Sequence, residues 1–249
     1  MTLLVMTATI KPPSNALLLT RTHVGARIED YRRGLRHNLA LVRAGVVSGV
    51  VFVDNSGHGT AEMQETVADE PGDLAGKVEL ISYDAQLDKN VQTRFAGECK
   101  LLSHAFQNSR MILTATASHV WKVTGRYVVR NLGRIISADY GDSDLIVHCR
   151  NRPSRFVDFG LAGFRRNRAT ELIGRVLDWP DVERLDESII RKMIDGGSFD
   201  DIRVAQRFAA IPDFSGVRGS DSASYDGLAY RAKFMARVTA NRLFPRLWI

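Results

Sequence analysis

The feature that most limits how this chain can fold is a series of short apolar runs separated by helical patterns. Leu3-Leu4-Val5-Met6-Thr7-Ala8-Thr9-Ile10 comes first and stops at Lys11-Pro12-Pro13. Residues 50–53, 78–83, 120–123 and 145–149 follow, with Phe156-Val157-Asp158-Phe159 as one more. Unbroken apolar runs of this length suit strands covered on both faces. Between them, Ile28, Tyr31, Leu35, Leu39 and Val42 recur at spacings of three and four, which predicts a helix closed by Gly45. A weaker helix runs through Met63 and Val67 to a break at Pro71-Gly72, and Gly97-Glu98 opens a third that buries Leu101, Leu102, Ala105 and Phe106. Strands alternating with helices predict βαβ units, hence an α/β fold with a mostly parallel sheet. The last third reads as more helical, with Leu185, Ile189, Ile190, Met193 and Ile194 on one helix ended by Gly196-Gly197. The 249 residues hold no internal repeat, low-complexity linker or clean boundary, so a single domain is expected.

A net charge of +6 and a pI near 9.5 favour an anionic partner. Two cysteines, Cys99 and Cys149, are too few for a disulfide framework or a zinc cluster and read as buried thiols. Residues 1–10 lack the pattern of a signal peptide and no run is long enough to span a membrane, so a cytoplasmic location is expected. The basic end of the chain carries Phe234, Met235, Val238, Leu243, Phe244, Leu247 and Trp248. That pattern fits either an amphipathic helix on a membrane surface or one packed on its own domain.

Trp121-Lys122-Val123-Thr124-Gly125-Arg126-Tyr127 is the stretch richest in chemistry. It reads as a strand that stops at glycine and hands over to a helix capped by Thr124, with Val128, Val129, Leu132, Ile135 and Ile136 as its apolar stripe. A helix start flanked by Lys122 and Arg126 would hold an anion, above all a phosphate. Arg32, Arg33 and Arg36 read as solvated, and residues 17–22 as a loop leading into the first helix. Asp54, at the carboxyl end of its strand, either meets a base or ribose or makes an Asx-turn. Glu98 either complements a helix dipole or faces a ligand. His148 reads as a core or wall histidine. Lys89 and Arg94 are the basic members of an irregular stretch from 84 to 96, and residues 211–225 have the composition of a mobile loop.

Several motifs are absent: G-x-G-x-x-G after the first strand, the Walker A loop, H-E-x-x-H and G-x-S-x-G. Asp139, Asp142 and Asp144 form the only acidic cluster with metal-site character, in which Asp142-Ser143-Asp144 matches D-x-D in form. The order of features resembles the GT-A-fold glycosyltransferases of bacterial surface-polysaccharide assembly, within them a subgroup with a K-x-T-G-R-Y box. Residues 122–127 supply that box, and Phe214-Ser215-Gly216-Val217-Arg218-Gly219 with Tyr225 resembles the subgroup's later glycine-containing segment.

The resemblance implies one Rossmann-like GT-A domain, with residues 1–160 as the nucleotide-sugar-binding core and 161–249 as the acceptor side. It implies a nucleotide-diphospho-sugar donor and a glycan or lipid-linked glycan acceptor, met at an anionic membrane surface. Thr7, Thr9, Asp54, Glu98, Lys122, Thr124, Gly125, Arg126 and Arg218 would bind the donor. The box stands where D-x-D would bind a cation, so no cofactor is expected to be required, although Mn²⁺ or Mg²⁺ stays open. An inverting reaction would also need a carboxylate base, for which Glu187, Asp158 and then Asp186 are the candidates. Two other readings compete: a basic nucleic-acid-binding protein without activity, and a nucleotidyltransferase on a similar scaffold. The first lacks a basic stripe with interleaved aromatics, and the second lacks a glycine-rich loop after the first strand.

Overall fold

The computed structural model describes residues 2–13, 20–85, 94–152, 155–180, 182, 186–218 and 223–244. Residues 17–19 of the expected loop, Lys89, Leu185, Gly219, Leu247 and Trp248 lie outside these residues, and 20–22 are irregular as expected.

The apolar runs form the strands they predict. β1 (Thr2–Ala8), β2 (Gly49–Asp54), β3 (Val78–Ser82) and β4 (His119–Thr124) are all parallel, with β1 between β2 and β4. Beyond β4 the seven-stranded sheet continues through β7 (Phe156–Arg165), β6 (Leu145–Arg150) and β8 (Val204–Ala205), in the order β3-β2-β1-β4-β7-β6-β8. Only β7 runs against its neighbours, so the sheet is mostly parallel, as expected for this α/β chain. β7 is ten residues long, not the four its apolar run suggests. Its continuation is hidden by Gly160 and Gly163, and a Cβ at Gly163 would press on Trp121 and Ile146 at about 3.0 Å.

Helices cover both faces. On one side lie α1 (Val24–Arg43), α2 (Ala61–Ala68) and α5 (Leu132–Ile136). Tyr31, Leu35 and Leu39 of α1 bury against Leu4, Met6, Phe52 and Trp121. On the other side α3 (Arg94–Asn108), α4 (Arg110–Thr114), α6 (Ala169–Leu177) and α7 (Ser188–Asp195) pack on Val5, Val120, Phe159 and Phe164. α3 begins about a turn before Gly97, and Gly45 ends the turn after α1 at a positive φ of 69°. α8 (Leu228–Leu243) lies across the surface and fully buries none of its residues. No helix among the described residues is long and apolar enough to cross a membrane.

One expectation fails at the Thr124 corner. No helix starts there. After a turn closed by Tyr127 N–H donating to Thr124 O (2.9 Å), the chain enters β5 (Val128–Val129), which pairs with β9 (Phe214–Ser215) in a second small sheet. Two β-branched valines in sequence favour that strand, and the apolar stripe read as helical is split between β5 and the later α5. Thr124 therefore caps nothing, and no helix begins at this corner.

Candidate active site

The residues expected to form one site separate into two groups on opposite faces of the sheet, both at the carboxyl ends of the parallel strands. Side chains alternate along a strand, so Thr7, Lys122 and Thr124 all project to the α3 face. There they meet Glu98. Its Oε1 accepts from the Thr7 hydroxyl (2.8 Å) and the Thr124 hydroxyl (3.1 Å), and the Lys122 ammonium lies 2.7 Å away. Lys122 is fully buried. It also donates to Thr124 Oγ1 and to the Phe159 carbonyl, and lies over the Phe159 ring. Its expected contact with phosphate is thus corrected, because every side of the ammonium is enclosed by protein. Glu187 precedes α7 on this same face, within electrostatic reach of Cys99. Both cysteines are free and buried, and burial pushes the Cys99 thiol well up.

Asp54 also departs from its expected ligand role. It is fully buried, and its carboxylate accepts from Ile10 N–H (2.8 Å), Ser56 N–H (3.1 Å) and the Ser56 and Ser82 hydroxyls. That is the Asx-turn alternative, and it ties the ends of β1, β2 and β3 together. Burial raises its pKa, against the pull of those hydrogen bonds. Thr9 is held nearby, its hydroxyl donating to Asn55 Oδ1 (2.7 Å) and its carbonyl accepting from Arg27 (2.8 Å).

The second group lies on the α1 face. Gly125 N–H donates to Thr7 O (2.9 Å), and Gly34 of α1 sits so close that a Cβ there would come within 2.0 Å of Gly125 O. Past this contact comes Arg126, only 4% exposed. Its guanidinium lies 5.1 Å from the Tyr127 ring, and Nη2 donates to the Tyr127 hydroxyl (3.3 Å). Nη1 is buried with no hydrogen-bond partner, and among the described residues no carboxylate pairs with Arg126. Gly216, at φ 121°, lies over it: a Cβ there would meet Arg126 O at 3.2 Å and Arg33 Nη2 at 2.9 Å. Arg33 and Arg36 are exposed as expected, while Arg32 is half-buried and paired with Glu65.

Aromatic contacts carry this group onward to Asp158. Tyr127 packs on Phe214 and Tyr225, and Tyr225 on Tyr230. Burial raises the Tyr225 phenol, and Tyr127, Asp158 and Tyr230 raise it further. Arg218 is exposed, with its guanidinium 6.0 Å from the Tyr225 ring. Asp158 accepts from Gly160 N–H (3.1 Å) and pairs across the sheet with His148. The wall reading of His148 holds: it stacks on Phe208, and burial lowers its pKa to about 4.

The acidic cluster lies at the opposite end of the sheet. Asp142 and Asp144 pair with Arg165 and Arg203 near the start of β6, and Asp139 caps Gly141 N–H. A small cleft lined by Thr2, His119, Asp139 and Tyr140 opens at that same end. No group of three or more His, Cys, Asp or Glu among the described residues is arranged to hold a metal ion. The sequence reading missed Arg150, Arg207 and Arg237, which surround His148 electrostatically. The placement of Arg150 two residues after His148 on one strand face was the available signal.

No protein-family model and no curated protein matches this chain. Among solved structures it is similar to a protein described as a nucleotide-diphospho-sugar transferase from Desulfovibrio desulfuricans G20, with 13% identity, 82% of this chain and 78% of the other covered, and a TM-score of 0.48. It is similar also to the galactosyltransferase LgtC in complex with donor and acceptor sugar analogues (12%, 78% and 70%, 0.47). A third is the inositol-1-phosphate CTP transferase of T. maritima (11%, 96% and 95%, 0.48).

Proposed function

We propose that this protein transfers a sugar from a nucleotide-diphospho-sugar to an acceptor hydroxyl, with Arg126 holding the diphosphate. The observation that carries the reading is the buried guanidinium of Arg126, whose Nη1 has no hydrogen-bond partner and which pairs with no carboxylate among the described residues. A buried cation without a counter-ion is costly, and a diphosphate supplies the missing charge with oxygens suited to a guanidinium fork. Ligands of open α/β sheets bind beyond the carboxyl ends of their strands, where Arg126 lies. The K-x-T-G-R-Y resemblance points the same way.

In the reaction the bond from the anomeric carbon to the diphosphate oxygen breaks, and its electron pair leaves with the diphosphate beside Arg126. The acceptor oxygen bonds to the anomeric carbon and gives its proton to a carboxylate. Asp158 is preferred for that base over Glu187, because it shares the α1 face and the Tyr225 contact network with the Arg126 turn. Lys122 acts indirectly, by holding Glu98 and the end of β4. Fixed positive charge at Arg126 makes a Mn²⁺ or Mg²⁺ cofactor unnecessary in this reading. An acceptor on an anionic membrane would be met by the outward face of α8, where Leu228, Met235, Leu243 and Phe244 are exposed beside Lys233 and Arg242.

Thermal unfolding against UDP-, GDP- and dTDP-sugars, with and without EDTA, tests the reading. CMP-sugars, which lack a diphosphate, give the contrast. One diphospho-sugar should raise the midpoint by several degrees, EDTA notwithstanding. Stabilisation by a free nucleoside triphosphate alone would favour nucleotidyl transfer, and stabilisation by oligonucleotides alone would favour the nucleic-acid reading.

A further inference from the structure

We propose that Arg150, Arg207 and Arg237 form a second anion subsite, which receives a phosphate or diphosphate group carried by the sugar acceptor. The inference rests on the reading of Arg126 as the donor site. His148 and Arg150 project from the same face of β6, two residues apart. β8 runs parallel beside β6, and Cys149 N–H donates to Gln206 O (2.9 Å), which brings the next residue, Arg207, alongside the end of β6. α8 closes the group from above: Asn241, one turn after Arg237, accepts a hydrogen bond from the Arg207 guanidinium. Arg150 lies over the Phe156 ring at 4.9 Å, and its Nε is buried with no hydrogen-bond partner.

Charge balance points to an absent anion. Among the described residues neither Arg150 nor Arg237 is in an ion pair. Asp158 is the carboxylate whose field reaches both His148 and Arg237, and His148 is neutral near pH 7. Arg150 and Arg237 thus share one carboxylate and an uncharged ring, with Arg207 in the same electrostatic surroundings. Burial, followed by the Arg150 charge, lowers the Arg237 guanidinium, as crowding of like charges requires.

Position in the sheet indicates which substrate the anion belongs to. Arg126 follows β4, Asp158 is on β7 and Arg150 is on β6, and these three strands are adjacent in that order. Neighbouring strands are about 4.8 Å apart, so the arginine group lies roughly 10 Å from the donor arginine, with the proposed base between them. That spacing fits a donor diphosphate at Arg126, an acceptor hydroxyl at Asp158, and an acceptor phosphate about one sugar ring further on.

Calorimetric titration with inorganic pyrophosphate tests this, with and without saturation by the nucleoside diphosphate that the donor screen selects. Two sites are expected, of which the nucleotide blocks one. Arg150→Ala and Arg237→Ala should each weaken the remaining pyrophosphate site by at least about tenfold, the worth of one charge-assisted hydrogen bond, and leave nucleotide affinity unchanged. Arg237→Lys should recover part of the loss, which separates lost charge from lost packing. A single site fully blocked by nucleotide, or arginine variants that weaken both ligands alike, would overturn the subsite. Absence of nucleotide binding alongside an arginine-dependent pyrophosphate site would sink the donor reading and keep the subsite. Two further arms distinguish the source of the phosphate. A soluble hexose 1-phosphate competing with pyrophosphate identifies a free phosphosugar. Competition only by polyprenyl phosphate in phosphatidylcholine vesicles identifies a lipid-borne acceptor.

Discussion

Replacing Lys122 with methionine keeps most of the length of the side chain and removes its charge from a position with no solvent access. Glu98, whose side chain is 14% exposed, would retain the two threonine hydroxyls and lose the Lys122 ammonium. Breaking one side of such a buried pair typically costs about 3–5 kcal/mol, because the surviving charge is left in a poor solvent. Glu98→Gln should cost a comparable amount, since Lys122 would then be the stranded ion, while the amide oxygen could still accept from Thr7 and Thr124. The double variant should be destabilised by less than the sum, with a coupling of about 2–3 kcal/mol. Urea unfolding of the four proteins at pH 7 gives these quantities. Nucleotide affinity should follow stability in this series, with no separate loss in Lys122→Met. The reasoning fails if Lys122→Met stays within about 0.5 kcal/mol of the parent, the range of a surface change, and yet abolishes nucleotide binding. Lys122 would then face the ligand.

Gly34→Ala should destabilise by about 1–3 kcal/mol or more, because the new Cβ would fall 2.0 Å from Gly125 O and α1 would have to retreat by roughly 1.3 Å to reach ordinary contact. Since that retreat moves the turn before Arg126, nucleotide affinity should fall too, and an unchanged unfolding midpoint would refute the close contact. His148 makes stability depend on pH. Its folded pKa of about 4 lies below the ordinary histidine value of 6.5, so as the pH falls between these values the unfolded chain takes the proton first and the fold loses stability. The loss approaches about 3 kcal/mol near pH 4 and is absent above pH 7. His148→Asn, which keeps an acceptor for Phe208 N–H, should flatten that part of the profile; an unaltered profile would contradict the assignment.

The sheet was legible because its inner strands are buried on both faces, and continuous apolar runs such as 50–53 have few other uses. The helix from Ile28 to Val42 was equally plain, since one face must meet the sheet for its whole length. β7 was only partly legible: its glycines make room for Trp121 and Phe214, a constraint set by residues distant in sequence. The corner after β4 misled for a similar reason. Local pattern allowed a helix at Thr124, and pairing with Phe214 and Ser215, some ninety positions on, decided for a strand. Lys122, Arg126, Glu98 and Asp158 were all visible as chemistry-bearing residues. Their grouping was not, because the direction of a side chain at a strand end depends on register. Lys122 turned inward to Glu98, and Arg126 was the cation with no carboxylate partner among the described residues.

The most direct test of the central claim replaces Arg126 with methionine and records thermal unfolding with and without the nucleotide-sugar selected for the parent. A buried guanidinium that keeps Nη1 free of any hydrogen bond and has no carboxylate beside it among the described residues should weaken the empty protein. The variant is therefore predicted to match or exceed the parent's midpoint without ligand and to lose the ligand-induced rise. A variant that unfolds earlier when empty and still gains the full rise on adding nucleotide-sugar would contradict the account.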